Sequence, residues 1–148
     1  PGVQGGEDEM AVHVEGNVGA ASRKEATGHA HLQEADVSLN TNGASAGLVA
    51  RYSGPGEGNF YLGAVTKTAT GFDVYIYRNL GGQYVLLATK KLTGFSGTGA
   101  LRFEVVGNSL KLFVGNVLQI QATDSTIMAG GLVGMRGRGA AAFDNFHV

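Results

Sequence analysis

Five tyrosines occur in this chain, Tyr52, Tyr61, Tyr75, Tyr77 and Tyr84, and Arg51, Arg78 and Asn79 fall among them. Flat aromatic rings pack on the apolar faces of sugar rings, and planar polar groups hydrogen-bond the hydroxyls. The pattern predicts a carbohydrate surface on one sheet face carrying Arg51, Tyr61, Tyr75, Tyr77 and Arg78. The competing explanation is ordinary cross-strand tyrosine pairs on a half-exposed sheet. No Trp is present to serve as a larger platform.

Other reactive groups are sparse. Glycoside hydrolysis needs two carboxylates flanking the bond, roughly 5–10 Å apart. Glu7 and Glu9 have alternate spacing but no aromatic platform beside them, and no Ser sits in a nucleophile elbow. His29 and His31 share a strand face, and His13 or His147 could join them, yet a zinc or copper site needs a third ligand with fixed support. Exposed edge histidines are the plainer explanation. Asp144 lies between Phe143 and Phe146 in an apolar final strand. A carboxylate there needs a partner, either backbone amides or a structural Ca²⁺, with Asp8 among the co-ligands that chain-end proximity would bring. A turn-capping role explains Asp144 equally well. Gly54-Pro-Gly-Glu-Gly58 is a turn and not a phosphate loop, because no Lys-Ser/Thr or helix follows it.

Length and composition set the frame. One domain over 1–148 can bury a core without staples, with 1–8 as a flexible or edge segment. The 25 Gly suit many tight turns. Eleven basic residues against twelve acidic ones, scattered along the chain, give a net charge of −1, which argues against nucleic acid and polyanion partners. Cys is absent, so thiolate chemistry is excluded. No apolar run is long enough to span a membrane. The chain begins with Pro1, and we expect a mature or excised piece.

The positioning elements are strands. Met10, Val12 and Val14 alternate with polar neighbours, Gly16-Asn17 marks a turn, and a weaker strand follows over 18–26. Residues 31–39 alternate imperfectly through Leu32, Val37 and Leu39, which predicts a bulge. Strands are predicted over 46–53, 59–68, 72–79, 83–89, 101–106, 110–114, 117–122, 131–136 and 140–148. A helical turn is expected only near 124–127. Period 2 sends Leu101, Phe103, Val105, Leu110, Leu112 and Val114 inward, and it puts Tyr75 and Tyr77 opposite Val74, Ile76 and Arg78. Many short strands at this spacing argue for a two-sheet antiparallel sandwich, a jelly roll, with a closed barrel as the alternative.

Gly47-Leu-Val-Ala-Arg-Tyr-Ser53, Asn59-Phe-Tyr61, Leu101-Arg-Phe-Glu-Val105, Ser109-Leu-Lys-Leu-Phe113, Gly131-Leu-Val-Gly-Met-Arg136 and Phe143-Asp-Asn-Phe146 occur in that order. Together they resemble the concanavalin A-like (laminin G-like) jelly-roll modules of secreted bacterial proteins, over roughly residues 10–148. The resemblance implies an extracellular sandwich that binds carbohydrate or mediates adhesion, often with a structural calcium near the chain ends. The Glu-x-Asp-x-x-Glu signature of related glucanases is absent. So is the usual Asp-Phe opening strand beside the last strand, which leaves an open sheet edge.

The residues therefore predict a non-catalytic extracellular binding module whose partner is a glycan or a cell-surface or matrix polymer. The rival is a structural or adhesive subunit forming homo-oligomers through a sheet edge. A metal-dependent enzyme using His29 and His31 is a third class.

Overall fold

The computed structural model describes residues 9–14, 17–22, 30–53, 58–129 and 131–148, with side chains from residue 32 onward. Among these are twelve strands: β1 (Glu9–Val14), β2 (Asn17–Ser22), β3 (Ala30–Leu39), β4 (Ser45–Ser53), β5 (Asn59–Thr68), β6 (Gly71–Leu80), β7 (Gln83–Leu92), β8 (Thr98–Val106), β9 (Ser109–Val114), β10 (Val117–Thr123), β11 (Leu132–Arg138) and β12 (Ala141–His147). They form two antiparallel sheets. The seven-stranded sheet runs β1-β2-β11-β4-β5-β6-β7, and the five-stranded sheet runs β10-β9-β8-β3-β12. The all-β jelly-roll sandwich expected from the alternation is what the chain adopts, and the strand positions follow the predicted runs closely.

The core lies between the sheets. Leu101, Phe103 and Val105 of β8, Leu110 and Leu112 of β9, and Val74 and Ile76 of β6 are fully buried, as period 2 requires. Burying each such side chain is worth about 1.5–3 kcal/mol, so these stripes fix the register. The sheets pack closely at Gly63 of β5, where a Cβ would stand 2.7 Å from Phe103 Cδ1.

Two local expectations need correction. β3 pairs with β8 without a register shift from Ala30 to Ser38. Its imperfect alternation has another cause. Gln33, Ala35, Val37 and Leu39 point inward while Leu32 is exposed, and Gln33 Nε2 donates to the Val49 carbonyl across the sandwich at 2.9 Å. A buried amide whose nitrogen is paired in this way breaks the hydrophobic pattern without breaking the strand. On the other side of β3 its partner β12 does carry a bulge, between Asp144 and His147. Residues 124–127 form no helical turn, because side-chain contacts claim that segment, as described below.

Candidate functional site

The predicted five-residue surface divides between two faces of the larger sheet. Tyr61 pairs with Arg78 and Leu62 pairs with Tyr77 across β5 and β6. Successive residues point to opposite faces, so Tyr77 and Arg78 cannot share one. Tyr75 and Tyr77 face outward. Tyr61 and Arg78 face the inner side, and Arg51 joins them.

Arg51 departs from alternation for a local reason. The β4–β5 register shifts between Ala50 and Ser53, and Arg51 sits at φ 55. This bulge turns Arg51 inward and places Tyr52 on the outer cluster with Phe60, Val49 and Leu62. Arg51 is fully buried, and its Nη1 donates to the Ile127 carbonyl at 2.9 Å. Burial lowers its pKa, opposed by Tyr61, although a guanidinium stays charged in a protein.

Tyr61 is fully buried too. Its hydroxyl donates to Asp124 Oδ1 at 2.5 Å and accepts the Ile127 N–H at 3.1 Å. Asp124 Oδ2 receives Arg78 Nη1 at 2.6 Å, and its Oδ1 also receives the Thr126 N–H at 2.9 Å. Burial pushes the Tyr61 hydroxyl up to about 12, reinforced by Asp124. Burial alone would raise the Asp124 pKa, but hydrogen bonds from Tyr61, Thr126 and Arg78 outweigh it and hold the carboxyl below its usual range. Arg51, Tyr61 and Arg78 therefore clamp the 124–127 segment to the sheet. They do not share the outer face with Tyr75 and Tyr77.

The outer face keeps Tyr75 and Tyr77 and gains residues that the sequence pattern missed. Their rings stack at 5.6 Å between centroids, Tyr77 meets Tyr84 edge-on at 5.8 Å, and Tyr84 meets Phe60 at 6.0 Å. Arg136 of β11 lies 5.4 Å from the Tyr84 ring centre and donates from Nη1 to the Tyr84 hydroxyl. Together with Arg138 and Thr66 these tyrosines line a groove of about 410 Å³ across the larger sheet. Gly47 lies in its floor, where a Cβ would stand 2.6 Å from Leu62 Cδ1. The missed arginines had one available signal: they stand two apart on a strand, separated only by Gly137, and so share a face. Asp124 offered none, since its partners lie 63 and 46 residues away.

Of the acidic and histidine candidates, Asp144 and His147 lie among the described side chains. Asp144 is exposed, and its Oδ1 accepts the Asn145 N–H at 2.9 Å. The three-residue interval between the inward-packed Phe143 and Phe146 is absorbed by the β12 bulge, which turns Asp144 out of the apolar strand. Asn145 Nδ2 donates to Asp36 Oδ2 at 2.8 Å. Among the described residues no group of three or more His, Asp or Glu could hold a metal ion. Asp8, Glu7, Glu9, His13, His29 and His31 lie outside the described side chains. His147 Nε2 is 3.4 Å from Glu34 Oε1. Among the described residues no helix is long and apolar enough to cross a membrane.

Two layered antiparallel sheets with this strand order define a concanavalin A-like jelly roll. The chain is similar in structure to the carbohydrate binding module CBM66 from Bacillus subtilis, with a TM-score of 0.73 and 22% identity over 99% of this chain and 90% of that one. It is also similar to sheep galectin-11 in complex with glycerol (TM-score 0.65, 15% identity, 86% and 94% covered). A third likeness is to the beta-glucanase of Bacillus licheniformis (TM-score 0.60, 19% identity, 87% and 69% covered). At these identities the likeness shows the fold. No protein-family model and no curated protein sequence matches the chain.

Proposed function

We propose that this chain is a non-catalytic carbohydrate-binding module that works outside the cell. The observation carrying this reading is the open groove on the larger sheet, where stacked tyrosines and a ring-supported arginine stand together over a glycine floor. Such a surface offers apolar ring faces and a few fixed polar groups, which is what a sugar ring requires. Three of the similar structures are a carbohydrate binding module, a galectin and a glucanase, which supports the ligand class. The described groove lining contains no carboxylate pair of the kind that glycoside hydrolysis uses. A glycan array followed by calorimetry tests the reading. Binding is expected without release of reducing sugar, and it is expected to be lost in Tyr75→Ala/Tyr77→Ala. A blank array would overturn the reading.

One observation favours the adhesive alternative. Among the described strands β12 ends its sheet and pairs only with β3, so one backbone edge is open. That edge is also blunted by the bulge, by the outward Asp144 and by Asn145 at φ 54. The groove therefore has the stronger claim. Light scattering at high concentration separates the two, because assembly through β12 would raise the mass above that of a monomer.

A further inference from the structure

We infer that the groove takes a single glycan chain lengthwise, parallel to β4 and β5, and lets it leave past Ser45 and Thr66. The inference rests on the carbohydrate reading and deepens it, since it names a linear oligosaccharide rather than one sugar as the ligand. Its basis is the size of the residues that the strand register sets side by side. One row across the larger sheet reads Arg136, Gly47, Ala64, Tyr75, and the next reads Arg138, Ser45, Thr66, Asp73. In both rows β4 and β5 carry small residues. On one side β11 raises an arginine in each row, and on the other β6 raises Tyr75, with Tyr77 two residues on. The result is a trough whose floor follows β4 and β5, with one wall on β6 and the other on β11. The Thr66 hydroxyl donates to Ser45 Oγ at 3.0 Å, so these two side chains are turned toward each other on the floor.

Dimensions favour the long axis. From Leu62 to Thr66 the floor runs roughly 13 Å along β5, and on the β4 side it continues to Gly43. The backbones of β6 and β11 stand roughly 14 Å apart, three strand spacings, and the tyrosine and arginine side chains narrow that gap. The volume of about 410 Å³ is within the roughly 300–1,000 Å³ of sites that hold drug-sized ligands, more than one sugar ring fills. The tyrosine wall is ordered the same way. The Tyr75 hydroxyl donates to Asp73 Oδ2 at 3.4 Å, two residues along the same face, so its ring leans along β6. The Tyr77 ring follows at 5.6 Å, a step comparable to one residue of an extended sugar chain. Successive sugars therefore meet successive rings. The two ends differ. Toward Phe60 the floor rises through Val49 and Leu62, and the Arg136–Tyr84 contact lies over Phe60, crossing β4, β5 and β6. At the other end the described floor is Gly43, Ser45 and Thr66, and the exit lies there.

The test titrates the intact chain by calorimetry with linear cello-, xylo-, galacto- and fructo-oligosaccharides, from disaccharide to hexasaccharide. In the series that binds, the tetrasaccharide should bind about tenfold or more tighter than the disaccharide, a difference of roughly 1.4 kcal/mol. Thr66→Met raises the floor at the exit, and in it the longer members should bind no tighter than the disaccharide. Ser45→Met places the same block from β4 and keeps the test decisive if Thr66→Met does not fold. Leu86→Asn is the control for a crosswise path. Leu86 lies beside Tyr77 on β7, exposed and outside the described groove lining, so this variant should bind every length as the wild type does. Loss of long-chain affinity in Leu86→Asn, with the gain retained in Thr66→Met, would overturn the lengthwise seating and leave the carbohydrate reading standing. Equal affinity for all lengths would do the same, because a single sugar would then fill the site. Binding to no member of any series also overturns the inference, and the carbohydrate reading then falls only if the wider array is blank as well.

Discussion

The Tyr61 hydroxyl and the Asp124 carboxylate, 63 residues apart in the chain, meet at 2.5 Å beneath the larger sheet. The same hydroxyl accepts the Ile127 N–H, so one oxygen ties an irregular segment to β5. Tyr61→Phe removes that oxygen and leaves a buried amide without its acceptor. We expect a loss of about 1–3 kcal/mol in urea unfolding. Glycan affinity should stay within about twofold of wild type, a difference of roughly 0.4 kcal/mol, because Tyr61 does not reach the groove. A large affinity loss without destabilisation would return Tyr61 to the ligand surface.

The clamp also sets the pH limits of stability. The folded-state pKa of Asp124 is depressed, so its contribution is complete above the unfolded value of 3.8 and is lost as pH falls through the folded value. Tyr61 behaves in the opposite sense. Its pKa is raised from 10.0 to about 12, so its contribution is complete below pH 10.0 and is lost as pH rises toward 12. Thermal melts across pH should show both losses. Asp124→Asn is expected to flatten the acid limb and Tyr61→Phe the alkaline limb. Unchanged limbs in both variants would show that the clamp carries no proton linkage.

Most of the scaffold was readable from residue types, and most of the site was not. Alternation in Leu101–Val105 and Leu110–Val114 reports burial directly, because a strand with one buried face has no other arrangement of its apolar residues. Arg51 was misread because a bulge changes the parity of every residue beyond it, and Arg-Tyr-Ser carries no Gly to announce one. Tyr61 was misread because a tyrosine whose hydroxyl finds buried partners is as well placed inside as outside, and those partners come from a distant loop. Tyr84 joins Tyr77 through the β6–β7 hairpin, and Arg136 arrives from β11, with β4, β5 and β6 between it and β7 and more than 50 residues of chain between it and Tyr84. Such convergence depends on sheet order, which period alone does not encode.

Gly47 tests whether the groove floor governs binding. In Gly47→Ala the new Cβ would stand 2.6 Å from Leu62 Cδ1 and 3.1 Å from the Ala64 Cβ. The Leu62 methyl is the far end of a flexible side chain and has the groove to move into. The stability change should be under about 2 kcal/mol, since overpacking is partly offset by lower unfolded-chain entropy. Glycan affinity should fall about tenfold or more, roughly 1.4 kcal/mol. Wild-type affinity, measured by calorimetry on a folded variant, would place the ligand elsewhere.

Gly63 sits on the other face of the same sheet, and the same substitution should behave differently there. A Cβ at Gly63 would stand 2.7 Å from Phe103 Cδ1 and 2.9 Å from Leu112 Cδ1, both side chains being fully buried. Phe103 and Leu112 are cross-strand partners in the facing sheet, so neither can retreat without displacing the other. Gly63→Ala should therefore cost about 1–3 kcal/mol despite the entropic gain of replacing glycine, with glycan affinity unchanged in the folded fraction. Leu112→Ala alone should cost about 2–5 kcal/mol through the cavity it opens. In the double variant the new methyl enters part of that cavity, so the combined loss should be smaller than the sum of the two, with a coupling of about 0.5–3 kcal/mol. Strict additivity in this cycle would mean that β5 and β9 do not touch at Gly63, and the close packing of the two sheets described above would be wrong.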